Sequence, residues 1–105
     1  MKTENNNRAI EIAQTIVKQI KYADRSAMMA WGVNRLAAIS ESKEYAGGVE
    51  MSVNGLTHQG WVKVQLSWLD EYTVTFINKS REVVKSVEGV YCDMLVDVID
   101  WIEGK

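Results

Sequence analysis

Apolar and polar residues alternate through the middle of the chain, and this period of two constrains the fold more than any other feature. The dipeptide Asn54-Gly55 interrupts the alternation and favours a two-residue type I′ turn, in which both residues have positive φ. That turn predicts a hairpin in which Met51 opposes His58. In this register the apolar positions of both strands share one face of the sheet: Val49, Met51, Val53, Val62, Val64, Leu66 and Trp68.

A second turn at residues 69–71 predicts a further antiparallel strand over residues 72–78. With a three-residue loop, Leu66 opposes Val74, so apolar side chains again meet across the two strands. Residues 82–87 fit a short additional strand, and the sequence leaves its register open.

Two segments have the period of amphipathic helices, one towards each end of the chain. In residues 8–23 the apolar arc consists of Ile10, Ile12, Ala13, Ile16, Val17, Ile20 and Ala23. In residues 91–103 the apolar face consists of Tyr91, Met94, Leu95, Val98, Ile99 and Ile102. Because both faces must be buried, we place both helices on the side of the sheet that carries Val62 and Val64.

Residues 27–39 fit two structures. Their Ala and Met content favours a helix, whereas their alternation favours a strand with Met29, Trp31, Val33, Arg35, Ala37 and Ile39 on one face.

Counting the segment as a strand, we predict a single α+β domain over residues 1–105 with both helices on one face of the sheet. The sheet is an antiparallel meander of four or five strands, at residues 28–39, 48–54, 56–68, 72–78 and, where the fifth forms, 82–87.

Composition argues against several classes of partner and compartment. The net charge of −2 provides no overall basic field that would attract nucleic acid or an anionic membrane. No apolar run approaches the roughly 20 residues of a membrane span, and the polar N-terminal segment is unlike a signal peptide. Cys92 is the only cysteine, so an internal disulfide cannot form and a reducing cytoplasm is the expected compartment.

His58 is the only histidine, which makes it the first candidate for catalysis or metal binding. A metal centre usually needs three or four ligands, whereas the single Cys92 lies 34 positions away from this His. No Gly-x-Ser-x-Gly motif is present either. We therefore expect no metal and no cofactor, and we interpret His58 as a half-buried residue packed beside Met51. An enzyme that uses His58 is the least favoured function.

The acidic stripe of the last helix is typical of a solvated helix face: Asp93, Asp97 and Asp100.

The opposite, outer face of the predicted sheet carries apolar residues that a solvated face does not need. We interpret Trp61, Lys63, Leu69 and Ile77 as a candidate contact surface. The favoured function is a small non-enzymatic protein-interaction module in which this face meets either a second copy of the chain or another protein. An ordinary solvent-exposed sheet face is the remaining interpretation. The alternative is binding of single-stranded nucleic acid, with Trp61 stacking on a base and Lys63 holding a phosphate.

Four segments carry a family resemblance: AWGVNRLAAI, VNGLTHQGWVKVQL, DEYTVTF and GVYCDMLVDVIDWIE. Together they span about residues 27–103 and resemble a group of short bacterial proteins carried on phages and other mobile elements of gut bacteria. That group has no assigned activity, so the resemblance implies no site residue. It implies a cytoplasmic accessory protein of an acquired element.

Overall fold

The computed structural model describes residues 2–104, with side chains described from Arg8 onwards. Five strands form one antiparallel sheet in the order β1-β2-β3-β4-β5, so each strand pairs with its neighbours in the sequence. The predicted α+β meander with a helix before it and a helical segment after it is confirmed. The elements are α1 (Lys2–Ala23), α2 (Ala27–Ala30), β1 (Arg35–Ile39), β2 (Tyr45–Asn54), β3 (Gln59–Ser67), β4 (Tyr72–Asn78), β5 (Val83–Val90) and a C-terminal segment, residues 92–103, in which α3 (Leu95–Ile99) lies between the 3-10 turns Cys92–Met94 and Asp100–Glu103.

The core lies between one face of the sheet, called here the inner face, and a layer formed by α1, α2 and the C-terminal segment. The inner face contributes Val49, Met51, Val62, Val64, Val74 and Phe76, each at most 1% exposed. The helical layer contributes Ile16, Ile20, Trp31, Leu95, Ile99 and Ile102, each 0% exposed. Full burial of such a side chain stabilises a fold by about 1.5–3 kcal/mol. The predicted placement of both helical ends on this face is confirmed.

Helix α1 begins six residues before the predicted start and packs through a stripe narrower than the predicted arc. The buried residues of the stripe are Ala9, Ala13, Ile16 and Ile20. Ile10 is 47% exposed and Ala23 is also exposed, so their assignment to the buried arc is wrong. Ile10 lies on the helix flank at the free edge of β1, which stays open because α1 packs over β2 and β1, and Ala23 is the last residue of the helix. Within the described residues, no helix combines the length and the apolar character needed to cross a membrane.

The segment 27–39 combines the two predicted alternatives. Its first residues form α2 and only its last five form β1, so the predicted strand is wrong before β1. Trp31 is 0% exposed and Met29 is 86% exposed, which separates two residues of the predicted strand face. Gly32 produces the break between helix and strand. Its φ of +67° favours glycine, and a Cβ there would lie 2.9 Å from a backbone oxygen of β2.

The first hairpin has a longer loop than the predicted two-residue turn. Asn54 pairs with Gln59, and the Gly55 amide donates to the His58 carbonyl at 2.9 Å. Met51 therefore opposes Val62, and the predicted pairing of Met51 with His58 is wrong. Gly55 is not among the residues with positive φ, so it does not fill the turn position that the dipeptide predicted. Because the observed register differs from the predicted one by an even number of residues, the apolar residues stay on the inner face.

The second hairpin also differs in register. A four-residue loop with Asp70 at φ +65° joins β3 to β4, so Leu66 opposes Tyr72 rather than the predicted Val74. Strand β4 has its predicted bounds, whereas β2 begins three residues earlier, β3 begins three residues later and β5 ends three residues later than predicted. The fifth strand is thus part of the sheet.

The predicted helix 91–103 is a succession of short turns rather than one continuous helix. Three of its predicted core residues are fully buried: Leu95, Ile99 and Ile102. Tyr91 and Met94 are 52% and 40% exposed, so their placement in the core is wrong. Asp100, predicted to be solvated, instead accepts a hydrogen bond from the indole Nε1 of Trp31 at 2.8 Å. This bond ties the C-terminal segment to the residue that follows α2.

Candidate functional site

The outer face of the sheet is centred on Trp61, which opposes Ser52 on β2 and Ile77 on β4. The Arg81 guanidinium lies 3.8 Å from the centroid of the Trp61 ring and 3.5 Å from a carboxylate oxygen of Glu50. Stacking of a guanidinium on an indole is a favourable cation–π contact. The Arg81 guanidinium therefore interacts with both the Trp61 ring and the Glu50 carboxylate.

The turn between β4 and β5 brings Arg81 to this position. Asn78 Oδ1 accepts hydrogen bonds from the amides of Ser80 and Glu82, both at 2.9 Å, which fixes the turn. Arg81 has a φ of +67°, a conformation that non-glycine residues rarely adopt. The turn therefore points the Arg81 side chain back over the sheet.

The four residues of the predicted contact surface do not lie together. Trp61 and Ile77 are cross-strand neighbours, and Lys63 is the next outer-face residue of β3. Ile77 is only 7% exposed, and Trp61 is half-buried. Leu69 lies in the turn after β3 and is 83% exposed, so its predicted position on the strand face is wrong. The role of this surface stays a prediction.

Basic side chains surround Trp61 although the chain as a whole is acidic. Arg35 opposes Ser52 on the same face, and Lys63 opposes Glu50. An open depression of about 500 Å³ adjoins the indole, and its polar lining consists of Asn34, Ser52, Asn54, Gln59 and Lys79. The outer face therefore combines a half-buried aromatic ring with several cationic and amide groups.

His58 lies in the β2–β3 loop and is 6% exposed. Its ring meets Phe76 edge-on at 5.9 Å and Trp101 at 5.7 Å between centroids. Its Nε2 lies 3.4 Å from the carbonyl oxygen of Trp61. The ring is therefore packed against Phe76 and the partly buried Trp101, and it is buried rather than half-buried as predicted.

The loop that carries His58 also receives the C-terminal segment. The Thr57 amide donates to the Ile102 carbonyl at 2.8 Å, and the Thr57 hydroxyl donates to the Trp101 carbonyl at 2.9 Å. The Leu56 amide donates to a Glu103 carboxylate oxygen at 3.3 Å. The β2–β3 loop therefore anchors the C-terminal segment through these hydrogen bonds.

The single cysteine and two residues of the acidic stripe lie on the surface. Cys92 is exposed at the start of the C-terminal segment, and Asp93 and Asp97 are exposed beside it. Among the residues that the structure describes, no group of three His, Cys, Asp or Glu side chains is arranged to hold a metal ion.

Sequence reasoning missed an apolar groove between α1 and β1, called here the α1/β1 groove. It has a volume of about 590 Å³. Strand β1 is the sheet edge, and four of its five residues are exposed. Ile10 and Leu36 line the groove and are 47% and 46% exposed. The signal was present in the sequence RLAAI, which has apolar residues at both parities and therefore no polar face.

Comparison with known proteins gave no match. No protein-family model, no curated protein and no solved structure is significantly similar to the chain.

Proposed function

We propose that the protein is a small non-enzymatic protein-interaction module that associates with copies of itself. The observation that carries this proposal is the α1/β1 groove, where Ile10 and Leu36 remain about half exposed beside an unpaired sheet edge. Single exposed apolar residues are common on protein surfaces. A contiguous apolar surface along a free strand edge is a recognised mark of an interaction site.

The outer face around Trp61 is the second surface that supports association. Its apolar area is reduced because Arg81 stacks on the indole at 3.8 Å and Ile77 is 7% exposed. A partner that docked there would contact the guanidinium as well as the ring. Arginine and tryptophan are both enriched among residues that dominate interface energies, so this face remains a candidate.

Sedimentation velocity at micromolar concentrations tests the proposal. The wild type should sediment as a concentration-dependent oligomer, and Leu36→Ser in the groove should weaken association by about tenfold. Trp61→Ala on the outer face is the matched variant, and loss of association there instead would assign the contact to that face. A wild type that remains monomeric at every concentration would refute self-association.

A second candidate is a nucleic-acid-binding accessory protein of a mobile element. The observation that favours it is the cationic surrounding of Trp61, where Arg81, Lys63 and Lys79 lie on or beside the outer face. A base would stack on the indole after Arg81 moved aside, or on the guanidinium itself.

Fluorescence anisotropy with labelled oligo-dT and oligo-U at low salt tests this candidate. Binding should weaken steeply as salt is added, because phosphate contacts release counterions. Lys63→Ala should reduce binding, because Lys63 would contact a phosphate whichever group stacks on the base, whereas Arg25→Ala, which removes the same charge outside the outer face, should change it little. Absence of binding to both oligonucleotides at low salt would rule the candidate out.

A further inference from the structure

We propose that the partner in self-association is a second copy whose β1 pairs antiparallel with β1 of the first, about a twofold axis at Ala37. The two sheets would then continue into one ten-stranded sheet, twice the five strands of one copy. This inference rests on the proposed function and specifies its interface.

The two edges of the sheet differ in how they are protected. Strand β5 has two register irregularities against β4 and carries Lys85 and Glu88 within its length. Bulges and charges of this kind keep an edge strand from pairing with another chain. Strand β1 pairs with β2 without irregularity, and its one charged residue, Arg35, stands at its start. The unprotected edge is therefore β1.

The α1/β1 groove has a centre that a twofold axis can occupy. Its helix lining extends from Ile10 to Lys18, with Gln14 at the midpoint. Its strand lining extends over residues 36–38, with Ala37 at the midpoint. Pairing about Ala37 places Leu36 of each copy opposite Ala38 of the other, so a large side chain meets a small one. Each copy thus supplies the cover that the other lacks.

Charges in and beside the groove are self-complementary under the same symmetry. Glu11 and Lys18 are exposed on α1 on either side of Gln14, so antiparallel α1 helices bring Glu11 of one copy towards Lys18 of the other. On β1, Arg35 opposes Ile39 of the second copy, and exposed Glu41 lies two residues further along that chain. A partner with a single sign of charge would meet repulsion at one end of the groove. Complementarity of both signs points to a second copy.

Charge variants at Ala37 test the axis directly by sedimentation. Ala37→Lys and Ala37→Glu each place like charges opposite one another at the axis, and each should weaken dimerisation by about tenfold or more. An equimolar mixture of the two variants should restore the dimer, because opposite charges then meet. Ser86→Lys adds the same charge on β5, the opposite edge, and should dimerise like the wild type. Circular dichroism establishes that each variant is folded.

The outcomes separate this inference from the function on which it rests. A wild-type dimer that Ala37→Lys leaves intact would overturn the β1 interface while self-association stands. Two monomeric variants that do not associate when mixed would overturn the position of the axis. A wild type that is monomeric throughout would overturn both proposals. Loss in each variant, with rescue in the mixture alone, supports the β1 pairing.

Discussion

Replacing Gly55 with asparagine tests whether the β2–β3 loop is a tight turn or an attachment point for the C-terminal segment. In a two-residue type I′ turn, asparagine tolerates the positive φ and Gly55→Asn would cost little. In the structure Gly55 is not among the residues with positive φ. A Cβ added there would lie 2.5 Å from the Ile102 carbonyl oxygen and 2.9 Å from Glu103 Oε2. The side chain would therefore displace the C-terminal segment.

The expected cost follows from those contacts. Overpacking against a fixed backbone costs about 1–3 kcal/mol. Displacement of the segment also weakens the two hydrogen bonds that Thr57 donates to it, each worth about 0.5–1.5 kcal/mol. Loss of glycine's freedom in the unfolded chain offsets about 0.4–1 kcal/mol. We expect Gly55→Asn to lower the free energy of unfolding by about 2–4 kcal/mol.

Urea denaturation followed by circular dichroism measures this change. Gly89→Asn is the matched control, because Gly89 has a φ of +67° and, its chain neighbours aside, no atom of the described residues lies within 4 Å of an added Cβ. Asparagine tolerates that conformation, so the control should cost less than about 1 kcal/mol. The reasoning would be refuted by a Gly55→Asn variant that is no less stable than the Gly89→Asn variant.

Trp31→Phe should destabilise the fold by about 2 kcal/mol, because it removes the donor to Asp100 and leaves a gap at a fully buried position. A double-mutant cycle with Asp100→Ala should show coupling, and additive effects would contradict the bond. Burial raises the pKa of Tyr72, so stability that is present below about pH 10 should fall as pH rises towards the folded-state pKa. In Tyr72→Phe the free energy of unfolding, measured by urea titration at several pH values, should decrease less over this range. An equal decrease in the variant would contradict the assignment to Tyr72. Arg81→Ala should increase acrylamide quenching of Trp61 but cost less than about 1 kcal/mol, since the Arg81 side chain is 58% exposed. Unchanged quenching would show that the stack does not shield the ring.

The faces of the strands could be predicted from the sequence, whereas their registers could not. Alternation at Val62 and Val64 identifies the inner face, and side-chain parity survives any even shift of register. The register itself depends on loop shape. The β2–β3 loop is shaped by contact between Gly55 and Ile102, 47 positions apart, and no local pattern contains that information.

For the candidate surfaces, too, the sequence predicts which strand residues share a face but not which other elements cover them. Trp61 and Ile77 were correctly expected on one face because they follow the strand period. The cover over them depends on Arg81, whose left-handed conformation nothing in the adjacent sequence demands. The α1/β1 groove arises from the lateral position of α1 on the sheet, which an amphipathic pattern does not determine. The one sequence signal for this groove is that β1 carries apolar residues on both of its faces.

The bond between Trp31 and Asp100 has a consequence for the order in which the molecule assembles. The meander itself joins neighbours in sequence, and such local contacts form early because little loop entropy opposes them. Trp31 and Asp100 are 69 positions apart, and Thr57 bonds Trp101 across 44 positions. We therefore expect the C-terminal segment to dock after the meander has formed. Before it docks, the aromatic side chains around His58 would be exposed to water, and partly folded chains would be prone to associate through them.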